Sequence, residues 1–592
     1  MLAAICLFFP TVLLMLMRQN IIRGGWVRSK GCNGNFISYL REYCITNLLL
    51  NFVALAVTSV VFHHADSLEE SLLHSTNFAF RYLALAIAIS IVEPIAEYFV
   101  RFQITVKVVR PTLSINKTAV LYLYAFILSL LNFIRTLDNS FWGDEGFSIK
   151  LAKMNVHQMI EATANDVHPP LYYLFLQLLY KCFGNSGVVY HFSAFIPYVI
   201  ILIVACTAVR KRFGLIPAVV LVTMSSIMKR AVVYNVEVRM YALAAMLVLV
   251  AYIALYGIAQ KDNIGSWIVF CIASLGAAYT HYYALISVAF FYLMLIPIAL
   301  NKRKIKRVVI AYTATIIGYL PWFAVLLGAF TRTKNNWWVE GIPSAEDCVK
   351  FIWDYDWVAK SFCLALVVFV LYETHIISVE KTNEARWLNR VHLNIKSPEK
   401  SSVTNELLWA AAGLLSICGT AAVGLGLSYA VRPFFIVRYL FPVSATAYLL
   451  FGYCISRMKL KNVWAVLLVG LILWSNFPAY VDTYKADKAE NTETNNFLMA
   501  VEPSEDAVIY TDSVHLNWTI LDCYYPNQHI LITDAMDCLD ADNSEIWLFW
   551  GNPLDEDTEN KLESKGYTME LAYDGLFIGS ARYAYKVVRN NL

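Results

Sequence analysis

Leu171-Tyr-Tyr-Leu-Phe-Leu-Gln-Leu-Leu-Tyr-Lys-Cys-Phe183 is apolar enough to be taken for a membrane span. A crossing helix needs roughly 20 mostly apolar residues, and this run is too short. Counting it as a span would also place Arg210-Lys211-Arg212 outside, whereas basic residues in short loops mark the cytoplasmic side. The run is therefore read as an amphipathic helix lying along the outer surface.

Working outward from it, about 14 runs have the length and composition of spans. They lie near 2–17, 46–63, 79–100, 116–134, 188–209, 215–233, 241–259, 266–281, 283–300, 308–329, 361–379, 407–429, 434–455 and 463–480. The basic loops are Arg18 to Lys30, Arg101 to Lys117, Arg210 to Arg212, Asn301 to Arg307 and Arg457 to Lys461. They fall on alternate sides of the spans, so one orientation satisfies all of them. The loops His63 to Ser75 and Asn139 to Pro170 then face out.

Bulk composition agrees. The 592 residues are 58% hydrophobic and only 15% charged, against about 25% charged in a soluble domain. Such a chain needs lipid as its solvent. A net charge of +3 favours no nucleic-acid partner. The 12 cysteines show no CxxC or metal-type spacing and read as small apolar residues; Cys523 and Cys538 are a candidate disulfide. Met1 is followed by Leu-Ala-Ala-Ile with no basic segment, which argues against a cleaved signal peptide.

After Tyr480 the composition turns polar. Strand-like runs Ala507 to Thr511, His529 to Thr533 and Glu545 to Phe549 alternate with helical stretches near 513–524 and 556–565, and two further strands are expected to close the chain. The fold class is thus an all-α polytopic membrane protein with a small C-terminal extracytoplasmic α/β domain. Residues 1–110 are expected to form a three-helix membrane module without an assigned role, 111–482 the main membrane domain, where the chemistry falls, with an outer loop at 135–187, and 483–592 the α/β domain.

Chemistry concentrates at the outer boundary. Trp142-Gly-Asp-Glu-Gly-Phe-Ser148 sets Asp144 and Glu145 a few residues beyond a span, among aromatics and glycines. Glycine lets backbone approach a ligand, apolar neighbours raise a carboxylate's basicity, and such a group can act as general base; an interfacial acidic turn is the plainer reading. Asp166-Val-His-Pro-Pro-Leu-Tyr-Tyr173 places Asp166 and His168 before a Pro-Pro helix start, where capping competes with a site role. Glu237-Val-Arg-Met-Tyr241 opens a helix with two charges, where pairing and ligand contact compete, while Lys229 and Arg230 fit snorkelling. Thr280-His-Tyr-Tyr283 makes a tight outer turn whose tyrosines fit an aromatic belt. Arg432 and Arg438 lie at another outer helix start, where Arg can hold a lipid phosphate. A transporter would place ionisable groups near mid-depth, where this chain is apolar apart from Glu93 and Glu97.

Taken together, these four motifs resemble the bacterial branch of the C-fold (GT-C) glycosyltransferases, which is similar to protein O-mannosyltransferases and lipid A aminoarabinose transferases. The resemblance runs from about residue 116 to 480. It implies two surface helices in the first outer loop, a lateral cavity for a lipid donor, Asp144 as catalytic base with Glu145 beside it, and inversion at the anomeric carbon. It also implies donor or acceptor contacts from Asp166, His168, Tyr172, Glu237, Arg239, Tyr241, His281, Tyr282 and Arg438. Some C-fold relatives use a divalent cation; no metal-type cluster is seen, so no cofactor is expected. His168-Pro-Pro stands where the aminoarabinose transferases have Lys-Pro-Pro, which leaves the donor sugar open.

The expected partners are a polyprenyl-phosphate-linked sugar, membrane lipid, and a glycan, lipid or protein acceptor in the envelope of a bacterial plasma membrane. The rival readings are a polysaccharide polymerase or ligase of the same fold and a lipid-linked oligosaccharide flippase.

Overall fold

The computed structural model describes residues 116–592 apart from 139, 303, 336–338, 375–376, 380–392, 396–403, 459, 513–516, 533–544, 579 and 590–592. The chain divides into two compact units, Met1–Ser114 and Ile115–Leu592. The first lies outside the described residues, and with it the spans expected near 2–17, 46–63 and 79–100, the basic loops before Asn116, Glu93 and Glu97. Cys538 of the candidate disulfide lies outside them too.

The second unit is mostly helical because lipid offers no partner to backbone N–H and C=O groups, and a helix satisfies them internally. Helix α1 is Lys117–Arg135, started by Asn116, whose side chain accepts from Thr118 N–H and Ala119 N–H. Three short helices follow in the loop after it: α2 (Gly143–Lys153), α3 (Val156–Asn165) and α4 (Leu171–Phe183). The resemblance implied two. The membrane domain continues with α5 (Gly187–Phe213, with a π turn at Ala205–Val209), α6 (Leu215–Ile227), α7 (Lys229–Tyr234), α8 (Tyr241–Lys261), α9 (Ile264–Ala278), α10 (Tyr282–Lys302) and α11 (Ile305–Asn335). It closes with α12 (Ala345–Trp353), α13 (Asp356–Glu373), α14 (Asn405–Ala430), α15 (Phe441–Arg457) and α16 (Lys461–Ala500).

Every run read as a span beyond Ile115 is helical over most of its length. Among the described residues, seven helices are long and apolar enough to cross a membrane, or eight if α12 and α13, bent by 88°, count as one. The runs at 215–233, 266–281 and 283–300 fall among shorter apolar helices. The run read to 379 stops at Glu373; Ile377–Val379 is strand β1, antiparallel to β2 (Leu393–Ile395).

Burial separates the spans. The apolar windows of α8 and α15 are 83% and 94% buried, against 22% for α1 and α11, so the first two form the centre and the others the periphery. Close packing there depends on small residues, as expected where lipid gives no hydrophobic drive to association. A Cβ on Gly452 of α15 would sit 2.8 Å from Pro217 Cα of α6. Helices α8, α10 and α15 start beside the acidic loop that follows α1 and end at basic groups, where Arg307 pairs with Asp262 and Arg457 with Glu373. Lys229 and Arg230 rest on Tyr355 and Phe351 at 5.0 and 5.3 Å.

Beyond the spans, α16 runs on into the polar region, so the composition change after Tyr480 falls inside one 40-residue helix. The sheet that follows has order β4-β3-β5-β7-β6, from β3 (Val508–Thr511), β4 (His529–Ile532), β5 (Ile546–Trp550), β6 (Tyr567–Phe577) and β7 (Ser580–Arg589). β3 is parallel to β4 and β5, and β7 is antiparallel to β5 and β6. Helix α17 (Asn517–Tyr524) connects β3 to β4, and α18 (Glu556–Ser564) precedes β6. Phe497, Ile509, Leu521, Trp547 and Phe577 fill one face of the sheet; Val508, Tyr510, Leu548, Leu562 and Tyr585 fill the other.

Candidate active site

The acidic pair opens α2, where the positive end of the helix dipole favours carboxylates. The two acids part immediately. Glu145 turns back and is 5% exposed: one oxygen accepts from Trp142 N–H at 3.2 Å and the other from Val238 N–H at 2.7 Å. It ties the helix start to the turn before α8. Burial, with the Glu237 charge next, pushes its carboxyl well above the usual range.

Asp144 faces two arginines. Its Oδ2 lies 3.2 Å from Arg438 Nη2 and 3.9 Å from Arg239 Nη2. Arg239, 3% exposed, also donates to the Asp144 carbonyl at 3.0 Å and to Ser148 Oγ at 3.1 Å, so it grips the first turn of α2. Arg438 sits in the 3-10 turn Val437–Leu440 ahead of α15, with its guanidinium 5.7 Å over the Trp142 ring. Glu237 lies beside both arginines; burial pushes it up to about 7 against their pull.

The second loop motif arrives from the other side. Asp166 Oδ2 is 3.1 Å from His168 Nδ1, and Arg332 donates to the Ala164 and Asp166 carbonyls, which fixes the loop. The His168 ring stands 6.0 Å from that of His281. His281 Nδ1 accepts from Tyr283 N–H at 3.1 Å, so its proton lies on Nε2, which is buried and meets no acceptor among the described residues. Burial, then the His168 charge, holds this ring well below the usual histidine range, and it stays neutral. Around it stand Tyr241, Tyr283 and Tyr439, at 5.7, 6.0 and 5.3 Å between ring centres.

Buried polar atoms are nearly always hydrogen-bonded, and leaving one unpaired costs about 1–3 kcal/mol. Among the described residues, Tyr173 Oη, Arg239 Nε, Tyr241 Oη, His281 Nε2, Tyr283 Oη and Arg438 Nε lack a hydrogen-bond partner, and Asp144 Oδ2 meets its arginines only as an ion pair. That concentration is what a polar ligand would satisfy. A cleft of about 210 Å³ adjoins them, walled by Leu285, Ile286, Leu326, Phe330, Leu427 and Phe434; His168, His281 and Tyr439 line it as well. It is apolar along its length and polar where it meets the histidines.

The sequence-predicted residues divide accordingly. Asp144, Arg239, Arg438, Glu237, Tyr241 and His281 meet in one cluster, with Asp166 and His168 at its edge. Tyr172 lies beneath it, fully buried with its hydroxyl on Ser193 at 2.8 Å. Tyr282 lines the cleft with its hydroxyl accepting from Trp322 Nε1 at 3.3 Å. Tyr173 and Tyr283 end two of the motifs but, like Tyr439, are not among the expected contacts; a tyrosine at a membrane boundary looks the same in sequence whether it meets headgroups or a ligand. Among the described residues, no three His, Cys, Asp or Glu side chains gather to hold a metal.

No curated protein matches the chain. Among solved structures, ArnT from Cupriavidus metallidurans in the apo state is 11% identical with a TM-score of 0.49, over 78% of this chain and 97% of that one. The same protein bound to undecaprenyl phosphate gives 11% and 0.49, over 79% and 98%. Residues 167–327, which carry His168, Tyr173, Arg239, Tyr241 and His281, are similar to the dolichyl-phosphate-mannose-protein mannosyltransferase family.

Proposed function

We propose that the chain is an inverting glycosyltransferase of the bacterial plasma membrane, moving a sugar from a polyprenyl-phosphate carrier to an acceptor hydroxyl at the outer face. The observation that carries this reading is a carboxylate held between two arginines, next to an apolar cleft, amid buried polar atoms without partners. The similarity of residues 167–327 supports the same class.

The reaction is a single displacement. The prenyl chain lies in the cleft, and the donor phosphate takes over Arg239 and Arg438 from Asp144. Asp144, so released, removes the proton of the acceptor hydroxyl. The acceptor oxygen bonds to the anomeric carbon as the bond from that carbon to the phosphate oxygen breaks, and the electron pair leaves on the phosphate. The carrier phosphate thereby gains a negative charge, which the two guanidiniums stabilise. Glu145, with both oxygens engaged by backbone N–H groups, positions α2. Backside attack inverts the anomeric centre.

The deciding assay uses purified full-length protein in detergent with polyprenyl-phosphate-linked sugars as donors and envelope glycans and lipids as acceptors, both extracted from the producing cells. Sugar transfer and free polyprenyl phosphate should appear in equal amounts. A flippase, having no second compartment to reach, would leave the donor unconsumed.

Glu237 adds a pH dependence. Below about 7 it is protonated and neutral; above that it is an anion beside the arginines that receive the phosphate. The donor KM is expected to rise about three- to tenfold as pH passes upward through 7, the effect of one added charge at partly screened distance. Glu237→Gln should flatten that dependence; a persisting rise would assign it to another group.

A further inference from the structure

The C-terminal domain reaches the membrane domain through α17, and the helix it reaches is α2. Tyr524 Oη accepts from Phe141 N–H at 3.0 Å, just ahead of the helix start. The Cys523 thiol lies 3.6 Å from the Gly146 carbonyl, Lys150 pairs with Asp522, and Lys153 Nζ is 3.5 Å from the Cys523 carbonyl. At about 100° per residue, Gly146, Lys150 and Lys153 lie about 180–240° around the helix from Asp144. Ser148, only about 40° from Asp144, is the residue that Arg239 holds. One face of α2 thus rests on α17 while the opposite face presents the carboxylate to the arginines.

The segment leading into α2 is secured from the same side. In α16, Asp487 pairs with Arg135 at 2.6 Å and Tyr480 donates to the Leu131 carbonyl at 2.8 Å, both on the last turns of α1. The stretch between α1 and α2 is therefore bounded at each end by contacts from the C-terminal part of the chain. Where reacting groups must meet within a fraction of an ångström, a displacement of 1 Å costs about 100-fold in rate.

We propose that Tyr524 and Asp522 are positioning residues for Asp144, and that the C-terminal domain serves the reaction by holding α2 at the angle that aims the carboxylate. The inference rests on the reading of Asp144 as base. The Tyr524 hydroxyl is the key contact: it takes the N–H of Phe141, one residue ahead of the Trp142 cap, and no other hydrogen bond from that N–H is seen among the described residues.

Two measurements on the full-length protein test it. Hydrogen exchange without substrate should show residues 141–153 exchanging about tenfold faster in Tyr524→Phe, as expected for the loss of one hydrogen bond, while the sheet of the C-terminal domain keeps its wild-type rates. With the extracted lipid-linked sugars, the same variant should lose about tenfold in kcat while its donor KM stays within about twofold. Lys150→Asp and Asp522→Lys should each lower kcat, and the two combined should restore it. Wild-type exchange and kcat in Tyr524→Phe would overturn the proposal. So would faster exchange spread over the whole domain with a lowered melting temperature, which would make the contact merely structural. If the wild-type protein transfers no sugar yet exchange changes as expected, the enzymatic reading fails and the clamp stands. An active wild type with an unaltered Tyr524→Phe gives the reverse.

Discussion

Asp144→Asn should lower sugar transfer by about 100- to 10,000-fold, the contribution of one well-placed general base, without unfolding the protein. Asn has nearly the shape of Asp and keeps an oxygen toward Arg438, but it cannot take a proton. The variant removes the negative partner of the two arginines. Asp144 and Arg438 are each 23% exposed on their side chains, so water compensates part of that loss. The start of α2 is held independently by Glu145, which accepts from Trp142 and Val238 N–H. Melting in detergent should therefore stay near wild type. Donor binding should hold or tighten, because the phosphate no longer competes with a carboxylate for Arg239 and Arg438. The measurement is initial rate and donor affinity on the same preparation. Full activity in Asp144→Asn would remove the base and the mechanism built on it.

How far this site could be read beforehand depended on the kind of information each residue carries. Asp144 stood out because two acids beside glycines at the end of an apolar run are unusual chemistry for that place. The residues by themselves did not tell which of the pair faces the arginines; the choice of Asp144 came from the resemblance. Neighbours on a helix diverge by about 100°, so one step in sequence separates a carboxylate aimed at Arg438 from one buried against backbone N–H groups. Tyr172 and Tyr173 pose the same problem: the first bonds Ser193, and the second turns toward the Arg239 charge. Arg239 was marked as unusual because a charge that opens a membrane helix is costly without a partner, but pairing and ligand contact stayed equally open until the resemblance was weighed.

The fold divides in the same manner. Span composition is a local property, and each run beyond Ile115 proved helical. Hydropathy does not say whether an apolar helix faces lipid or protein, so the central place of α8 and α15 emerged only in three dimensions. The polar turn after Tyr480 marks where α16 leaves an apolar environment, not where it ends. The contact of α17 with α2 joins Phe141 to Tyr524, 383 residues apart. No pattern in either segment announces the other.

The two arginines offer the last separation. Both face Asp144, but they are held differently, and their variants should fail differently. Arg438 is partly exposed, stacks on Trp142 and makes its ion pair from a turn rather than a packed helix. Arg438→Ala should cost about 100- to 1,000-fold in kcat/KM, the size seen when one donor to a developing anion is removed, with little change in melting. Arg438→Lys keeps the charge but loses the planar fork that can grip two phosphate oxygens, so it should recover only part of the rate. Arg239 is buried and holds the Asp144 carbonyl and Ser148. Arg239→Ala should lose at least as much activity and also about 1–3 kcal/mol of stability from the buried groups left unpaired. Added guanidinium could refill the exposed Arg438 position more readily than the enclosed Arg239 one, so chemical rescue should favour Arg438→Ala. The measurement is kcat/KM for the lipid-linked donor, with and without guanidinium, beside a melting curve for each variant. Wild-type kcat/KM in Arg438→Ala would remove that arginine from the departing phosphate and leave Arg239 to stabilise it alone.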